Sequence, residues 1–327
     1  MFKFNPGLYI DDSDQLYSLI RCETNIGGGF CKPKKNCSNW GKSDFSYELN
    51  KVNIDTLEST YIDNIHFNMY GDIACGTHLR RDSLNAGEYL LEDVKFTSSL
   101  GQRNKFICNV LTRHGLHDRI FRVGIGTFDI TKPELRLDRI LELPESDDEE
   151  PIEGTNLMMY EEKNWCPYIY NNQVYLIYRM FPNFIVYRLS LDDYSMEQVH
   201  ISDTRDIIEG TCVTKDQKVS YKQLYLTPCT EPIRVDNDNM LIFCKRSRFD
   251  GIYEYYRCYF NASTFDISLP DLSVPFTTGN RKYLNNILLY NNDVYMGWGL
   301  RDTYSIIEKF SKSDTLDINF NLRVCDK

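Results

Sequence analysis

Several features are missing from this 327-residue sequence, and each absence removes a class of function. No run approaches the ~20 apolar residues that a bilayer-spanning helix needs. No block of lysine and arginine exceeds a few residues and the net charge is −10, so a phosphate-neutralising surface for nucleic acid is not expected. The eleven cysteines are odd in number and contain no CxxC pair, which argues against a disulfide framework and a zinc site. They read instead as small buried apolar residues. Histidine is scarce. His114 and His117 in "RHGLHDR" lack a third ligand, so this segment reads as a polar loop, and no metal is expected. "NIGGGF" lacks the helix and the lysine of a phosphate loop and reads as a flexible rim segment. Helical periodicity is weak almost throughout, and residues 45–70 support no assignment.

What the chain does have is strand-forming material. Hydrophobic residues make up 42% and aromatics 13%, with 23 tyrosines, so the chain is folded and rich in β-formers. One local pattern recurs five times: a polar turn with Asp or Asn, an apolar run, then a basic residue. The copies are "DDSDQLYSLIR" ending at Arg21, "GQRNKFICNVLTR" at Arg113, "NNQVYLIYR" at Arg179, "DNDNMLIFCKR" at Lys245 and Arg246, and "NNDVYMGWGLRD" at Arg301 and Asp302. Each reads as a hairpin turn followed by a strand too apolar to face water. Five such sheets stacked around an axis give an all-β fold, a five-bladed β-propeller filling residues 1–327 as one domain. The acidic run "ESDDEEPIEG" (145–154) reads as a solvated loop. "DND" (236–238) reads as a turn, and "LDINFNLRV" near the end is expected to pair beside "FKFNPGLYI" and close the ring.

The ordered series "FNPGLY" with "LIRCE", "LEDVKF", "EKNWCPYIYNNQVYLIYR", "EGT" and "GWGLRD" resembles the blade motifs of five-bladed propeller glycosidases and phosphorylases, above all the β-mannoside phosphorylase group and its relatives with a K-N-W-x-P motif. The resemblance spans nearly the whole chain. It implies a carbohydrate-active enzyme that makes or breaks a glycosidic bond in the central funnel, as a glycosidase, glycoside phosphorylase or glycosyltransferase. The family's E-D-P-R element appears here as Glu92, Asp93, Val94 and Lys95, with valine in place of proline, which makes Asp93 the leading acid. A second carboxylate for hydrolysis is sought at Asp302, with Glu209 in "EGT" and Glu231 in "CTEP" as further options.

Substrate contacts are expected from Arg21, Glu92, Lys95, Lys163, Asn164, Trp165, Arg179, Glu209, Lys245 and Arg301. Trp165 would stack on a sugar ring, and the basic residues would hold a phosphate or a sugar nucleotide as substrate, with no cofactor. The family's histidine-bearing segment reads "IFCKRS" here, a departure that weighs against authentic phosphorolysis. The competing class is a non-catalytic glycan- or protein-binding propeller. The opening "MFKFNPGLYI" carries no leader pattern, so the expected location is cytoplasmic, with a carbohydrate or sugar phosphate as partner and neither nucleic acid nor membrane.

Overall fold

The computed structural model describes residues 2–23, 45–69, 90–96, 104–114, 118–142, 165–181, 183–204, 226–247, 252–268, 275–280, 282–300 and 304–316. Within them the chain is nearly all β. The first antiparallel meander holds β1 (Phe2–Ile10), β2 (Leu16–Glu23), β3 (Phe45–Val52) and β4 (Ser59–Met69). The stretch 45–70, unassigned from sequence, is thus largely β3 and β4. A second meander follows: β5 (Leu90–Phe96), β6 (Lys105–His114), β7 (Asp118–Asp129) and β8 (Glu134–Leu141). A short parallel pairing of β4 with β8 joins the two outermost strands, giving one eight-stranded sheet.

The third unit is β9 (Cys166–Tyr170), β10 (Gln173–Arg179), β11 (Asn183–Leu189) and β12 (Met196–Asp203). In the fourth, β13 (Thr227–Pro228) and β14 (Ile233–Arg234) both pair with β15 (Asn239–Ser247). That strand pairs with β16 (Ile252–Asn261), flanked by β17 (Ile267–Ser268) and β18 (Thr277–Asn280). The last sheet is β19 (Lys282–Tyr290), β20 (Asp293–Leu300) and β21 (Tyr304–Ser311), followed by the one-turn helix α1 (Lys312–Thr315).

The five repeated segments take equivalent places, since β2, β6, β10, β15 and β20 are each the strand after the first hairpin of a unit. Their turns are set by short polar side chains. Asn171 and Asn172 have φ of 49° and 58°, and Asn291 and Asn292 have 48° and 65°, the double left-handed geometry of a tight hairpin. Asp11 accepts hydrogen bonds from the Ser13 and Gln15 amides, and Asp236 from those of Asp238 and Asn239. Asp236 of "DND" is thus employed in its turn, while Asp238 accepts from the Tyr170 hydroxyl at 2.6 Å.

The apolar strands are explained by what covers both of their faces. Along β15, Met240, Ile242 and Cys244 enter one cluster while Leu241 and Phe243 enter another. Five such clusters occur among the described residues: first unit with second, second with third, third with fourth, fourth with last, and last with first. The last of these, with Leu8, Leu16, Leu288 and Tyr295, ties the N-terminal strand to the final sheet. Each fully buried large apolar side chain contributes about 1.5–3 kcal/mol. The described Cys22, Cys108, Cys166, Cys229, Cys244 and Cys258 are all buried. No helix of the described residues is long and apolar enough to cross a membrane. The terminal segment expected to pair with β1 and the acidic 145–154 run lie outside the described residues.

Candidate functional site

Backbone irregularities occur in several pairings, among them β3 with β4, β7 with β8, β10 with β11 and β11 with β12, and in three of the strands that open a unit. Register shifts interrupt β1 between Phe4 and Gly7, β5 between Glu92 and Lys95, and β19 between Leu284 and Asn286. In the fourth unit the pairing stops between β13 and β14, over residues 229–232. Bulges of this kind re-aim side chains and concentrate near functional sites. Here they carry Asn5, Asp93, Asn285 and Glu231. Asn5 and Asp93 both adopt left-handed backbone, with φ of 51° and 53°. Asn285 joins the bulges by donating from Nδ2 to the carbonyls of Asn5 (3.3 Å), Pro6 (3.2 Å) and Val94 (3.4 Å).

Asp93 is the centre of the polar contacts. Its Oδ1 accepts from Asn5 Nδ2 at 2.6 Å and its Oδ2 from Asn109 Nδ2 at 3.1 Å. The Arg21 guanidinium lies 3.9 Å from Oδ1, and the two side chains keep only 10% and 12% of their surface exposed. Tyr283 lies in the field of this carboxylate: burial, then the Asp93 charge, push its hydroxyl well above the ordinary value. Lys245 sits over the Tyr283 ring, with Nζ 4.0 Å from its centroid. Beside it, the Arg246 guanidinium bonds the buried Glu254, which also accepts from Tyr256.

A second group lies deeper. Lys95 is 2% exposed, with Nζ 4.0 Å from Cys166 Sγ at the start of β9. Glu231 is 3% exposed, and its Oε1 has no hydrogen-bond partner among the described residues. Burial pushes the Glu231 carboxyl well above the usual carboxylate range, while the charge of Lys95 opposes that shift. Burial likewise pushes the Cys166 thiol up to about 11, with Lys95 acting in the opposite direction.

Of the residues expected from sequence, Arg21 and Asp93 meet, and Lys95 and Lys245 lie in the same neighbourhood. Trp165 goes elsewhere: it is 1% exposed, packs with Ile107, Val123 and Leu176, and meets Tyr178 edge-on at 5.4 Å. At this exposure the Trp165 ring is part of a packed cluster, which differs from the surface setting that sugar stacking needs. Arg179 lies over the Tyr178 ring at 5.1 Å, beside that same cluster, and makes no contact with Asp93. Glu92 precedes Asp93 at the β5 bulge. Lys163, Asn164, Glu209, Arg301 and Asp302 lie outside the described residues. Sequence reasoning did not single out Asn5, Asn109, Tyr283 or Asn285. Only Asn5 had a signal, as part of "FNPG"; an Asn in the middle of an apolar strand is otherwise a weak one.

No protein-family model matches the chain, and no curated protein matches it in sequence. Solved structures do match in shape. A glycosyl hydrolase from Bacteroides ovatus aligns over 99% of this chain and 86% of its own, with TM-score 0.55 and 10% identity. A structure from the GH130 family of mannoside phosphorylases, containing glycoside hydrolases that target β-1,2-mannosidic linkages in Candida mannan, aligns over 100% and 87%, with TM-score 0.56 and 12% identity. The β-1,2-mannobiose phosphorylase from Listeria innocua, in complex with β-1,2-mannobiose, aligns over 96% and 90%, with TM-score 0.55 and 10% identity. At these identities the likeness establishes the fold alone, a propeller-type arrangement of β-sheets.

Proposed function

We propose that the chain is a carbohydrate-active enzyme, a five-bladed propeller that makes or breaks a glycosidic bond in its central funnel with Asp93 as acid/base. Support for five blades comes from the five apolar clusters, which join successive units in a cycle and return from the last to the first. The eight-stranded sheet then counts as two blades linked at their outer edges. The strands β1, β5, β9, the β13–β14 segment and β19 line the axis, which brings together the interruptions of β1, β5, β13–β14 and β19.

The observation that carries the reading is the setting of Asp93. A carboxylate fixed by two amides beside an arginine, on a strained bulge, is pre-organised for proton transfer at a bond held above it. The cations of Arg21 and Lys245 suit an anionic donor or acceptor, a sugar phosphate or sugar nucleotide. Glycosidic chemistry is further favoured by the shared fold of glycoside hydrolases and phosphorylases. One observation favours a second reading, a glycan-binding propeller without turnover: both Asp93 oxygens are already engaged by asparagine amides.

The two readings separate on one experiment. The protein is offered β-1,2-mannobiose with and without inorganic phosphate, then sugar nucleotides, and products are followed by chromatography. Asp93→Asn is expected to lose on the order of 10²–10⁴-fold in kcat while remaining folded. An Asp93→Asn protein that turns over as fast as wild type removes Asp93 from the chemistry, and glycan binding without any turnover selects the second reading.

A further inference from the structure

Resting on the carbohydrate reading above, we infer that Asn285 is the positioning residue of Asp93: one amide of the last unit grips the backbone at both ends of the bond that holds the carboxylate. The Asn285 side chain is fully buried, at 0% exposure, and its Nδ2 donates to the carbonyls of Asn5 at 3.3 Å, Pro6 at 3.2 Å and Val94 at 3.4 Å. Asn5 is the residue whose own amide reaches Asp93 Oδ1 at 2.6 Å, and Val94 directly follows Asp93. Asn285 therefore ties the donor and the acceptor of that bond to a common point on a third strand. Both ends need such a tie. Asn5 and Asp93 each hold left-handed backbone, with φ of 51° and 53°, which an L-residue keeps only when its surroundings fix it.

The donor side of this amide is the side in use. A bulge takes carbonyls out of the ladder and leaves them to find other donors, and the carbonyls of Asn5, Pro6 and Val94 all lie at the register shifts of β1 and β5. Asn285 Oδ1 is buried with no hydrogen-bond partner among the described residues, and turning the amide over to relieve it would aim an acceptor at three carbonyls. The backbone here is closely packed: a methyl group at Gly7 would fall 2.6 Å from the Val94 carbonyl oxygen, and one at Gly297 would fall 2.8 Å from that of Pro6. Neighbouring Asn286 provides the contrast. It is equally buried, at 1%, and its Oδ1 accepts from the Leu8 amide at 3.3 Å, away from the Asn5–Asp93 bond. Asn285 acts on the chemistry through where the carboxylate stands, and a displacement of about 1 Å at a reacting group can cost on the order of 10²-fold in rate.

The test compares Asn285→Ala with Asn286→Ala on the substrate that the wild type turns over among β-1,2-mannobiose, with and without inorganic phosphate, and sugar nucleotides. Asn285→Ala is expected to lose on the order of 10–10²-fold in kcat with KM within about threefold of wild type, whereas Asn286→Ala keeps kcat within about threefold. In an Asp93→Asn chain, adding Asn285→Ala should lower turnover no further. Equal kcat for the two asparagine variants, or a full additional loss in the Asp93→Asn chain, overturns the positioning role. Where Asn285→Ala does not fold, Asn285→Ser, which keeps one donor, takes its place. Urea unfolding of wild type, Asn285→Ala, Asp93→Asn and the double variant gives a readout that needs no turnover. The unfolding constant of the double variant is expected to differ from the product of the single effects by about 2- to 150-fold. Agreement within about twofold overturns the positioning role and leaves the carbohydrate reading standing wherever the wild type turns over one of the substrates. Coupled unfolding in a protein that turns over none of them upholds the link from Asn285 to Asp93 and overturns the carbohydrate reading.

Discussion

A methyl group added at Gly299 would fall 2.1 Å from Asn5 Oδ1 and 3.0 Å from the Asn5 amide nitrogen, so this glycine exists to make room for the residue that holds Asp93. Gly7 does the same for the Val94 carbonyl, at 2.6 Å. Gly299→Ala is expected to cost about 1–3 kcal/mol in urea unfolding and to displace the Asn5 amide from Asp93. Asn5→Gly in the same chain should return part of the lost stability without returning the Asp93 contact; a Gly299→Ala protein as stable as wild type would show that the bulge yields freely. The residue scale is where sequence was least legible. "GWG" reads as strand, and nothing in its letters says that its second glycine faces an asparagine almost 300 residues earlier. Asp93 was legible through the resemblance of "LEDVKF", whereas its partner Asn109 sits in an apolar strand like any misplaced polar residue.

At the scale of elements, turns are legible and bulges are not. The hairpin at Asn171–Asn172 could be read directly, because two consecutive left-handed residues select Asn or Gly and few others. Asn172→Val is accordingly expected to lose about 1–2 kcal/mol, and Asn172→Gly to stay within about 0.5 kcal/mol of wild type, both measured by thermal unfolding; equal stability for all three would mean that the turn conformation is set by the flanking strands. The interruptions in β1, β5 and β19 have no such signature. They are imposed when opening strands approach one another, as the single Asn285 amide bonded to three carbonyls on two neighbouring strands makes clear. The short repeat therefore marked the second strand of successive meanders. It conveyed little about how the opening strands deform, and Asn5, Asp93 and Asn285 all sit at those deformations.

For the whole molecule, the recurring apolar runs in the sequence and the apolar clusters among the described residues carry related information, since a strand apolar on both faces requires a neighbour on each side. Polar contacts reinforce that packing between the second and third units. Lys105 of β6 bonds Asp138 of β8 at 2.9 Å and reaches the Tyr194 hydroxyl, after β11, at 3.4 Å. Asp138 also accepts from Thr127 at 2.6 Å and Arg136 at 2.8 Å. Burial alone would raise its carboxyl, but the bonds from Thr127, Lys105 and Arg136 outweigh it and hold Asp138 below the ordinary value. A carboxyl depressed by folding contributes stability that is present above its unfolded pKa and disappears as pH falls through the folded one. Asp138→Asn is thus expected to cost about 1–3 kcal/mol at neutral pH. That deficit should close as pH drops below 3.8, the ordinary value for this carboxyl. Urea unfolding of both proteins across that range measures it. A deficit that stays constant down to the lowest pH at which both remain folded would mean that Asp138 acts through shape rather than charge.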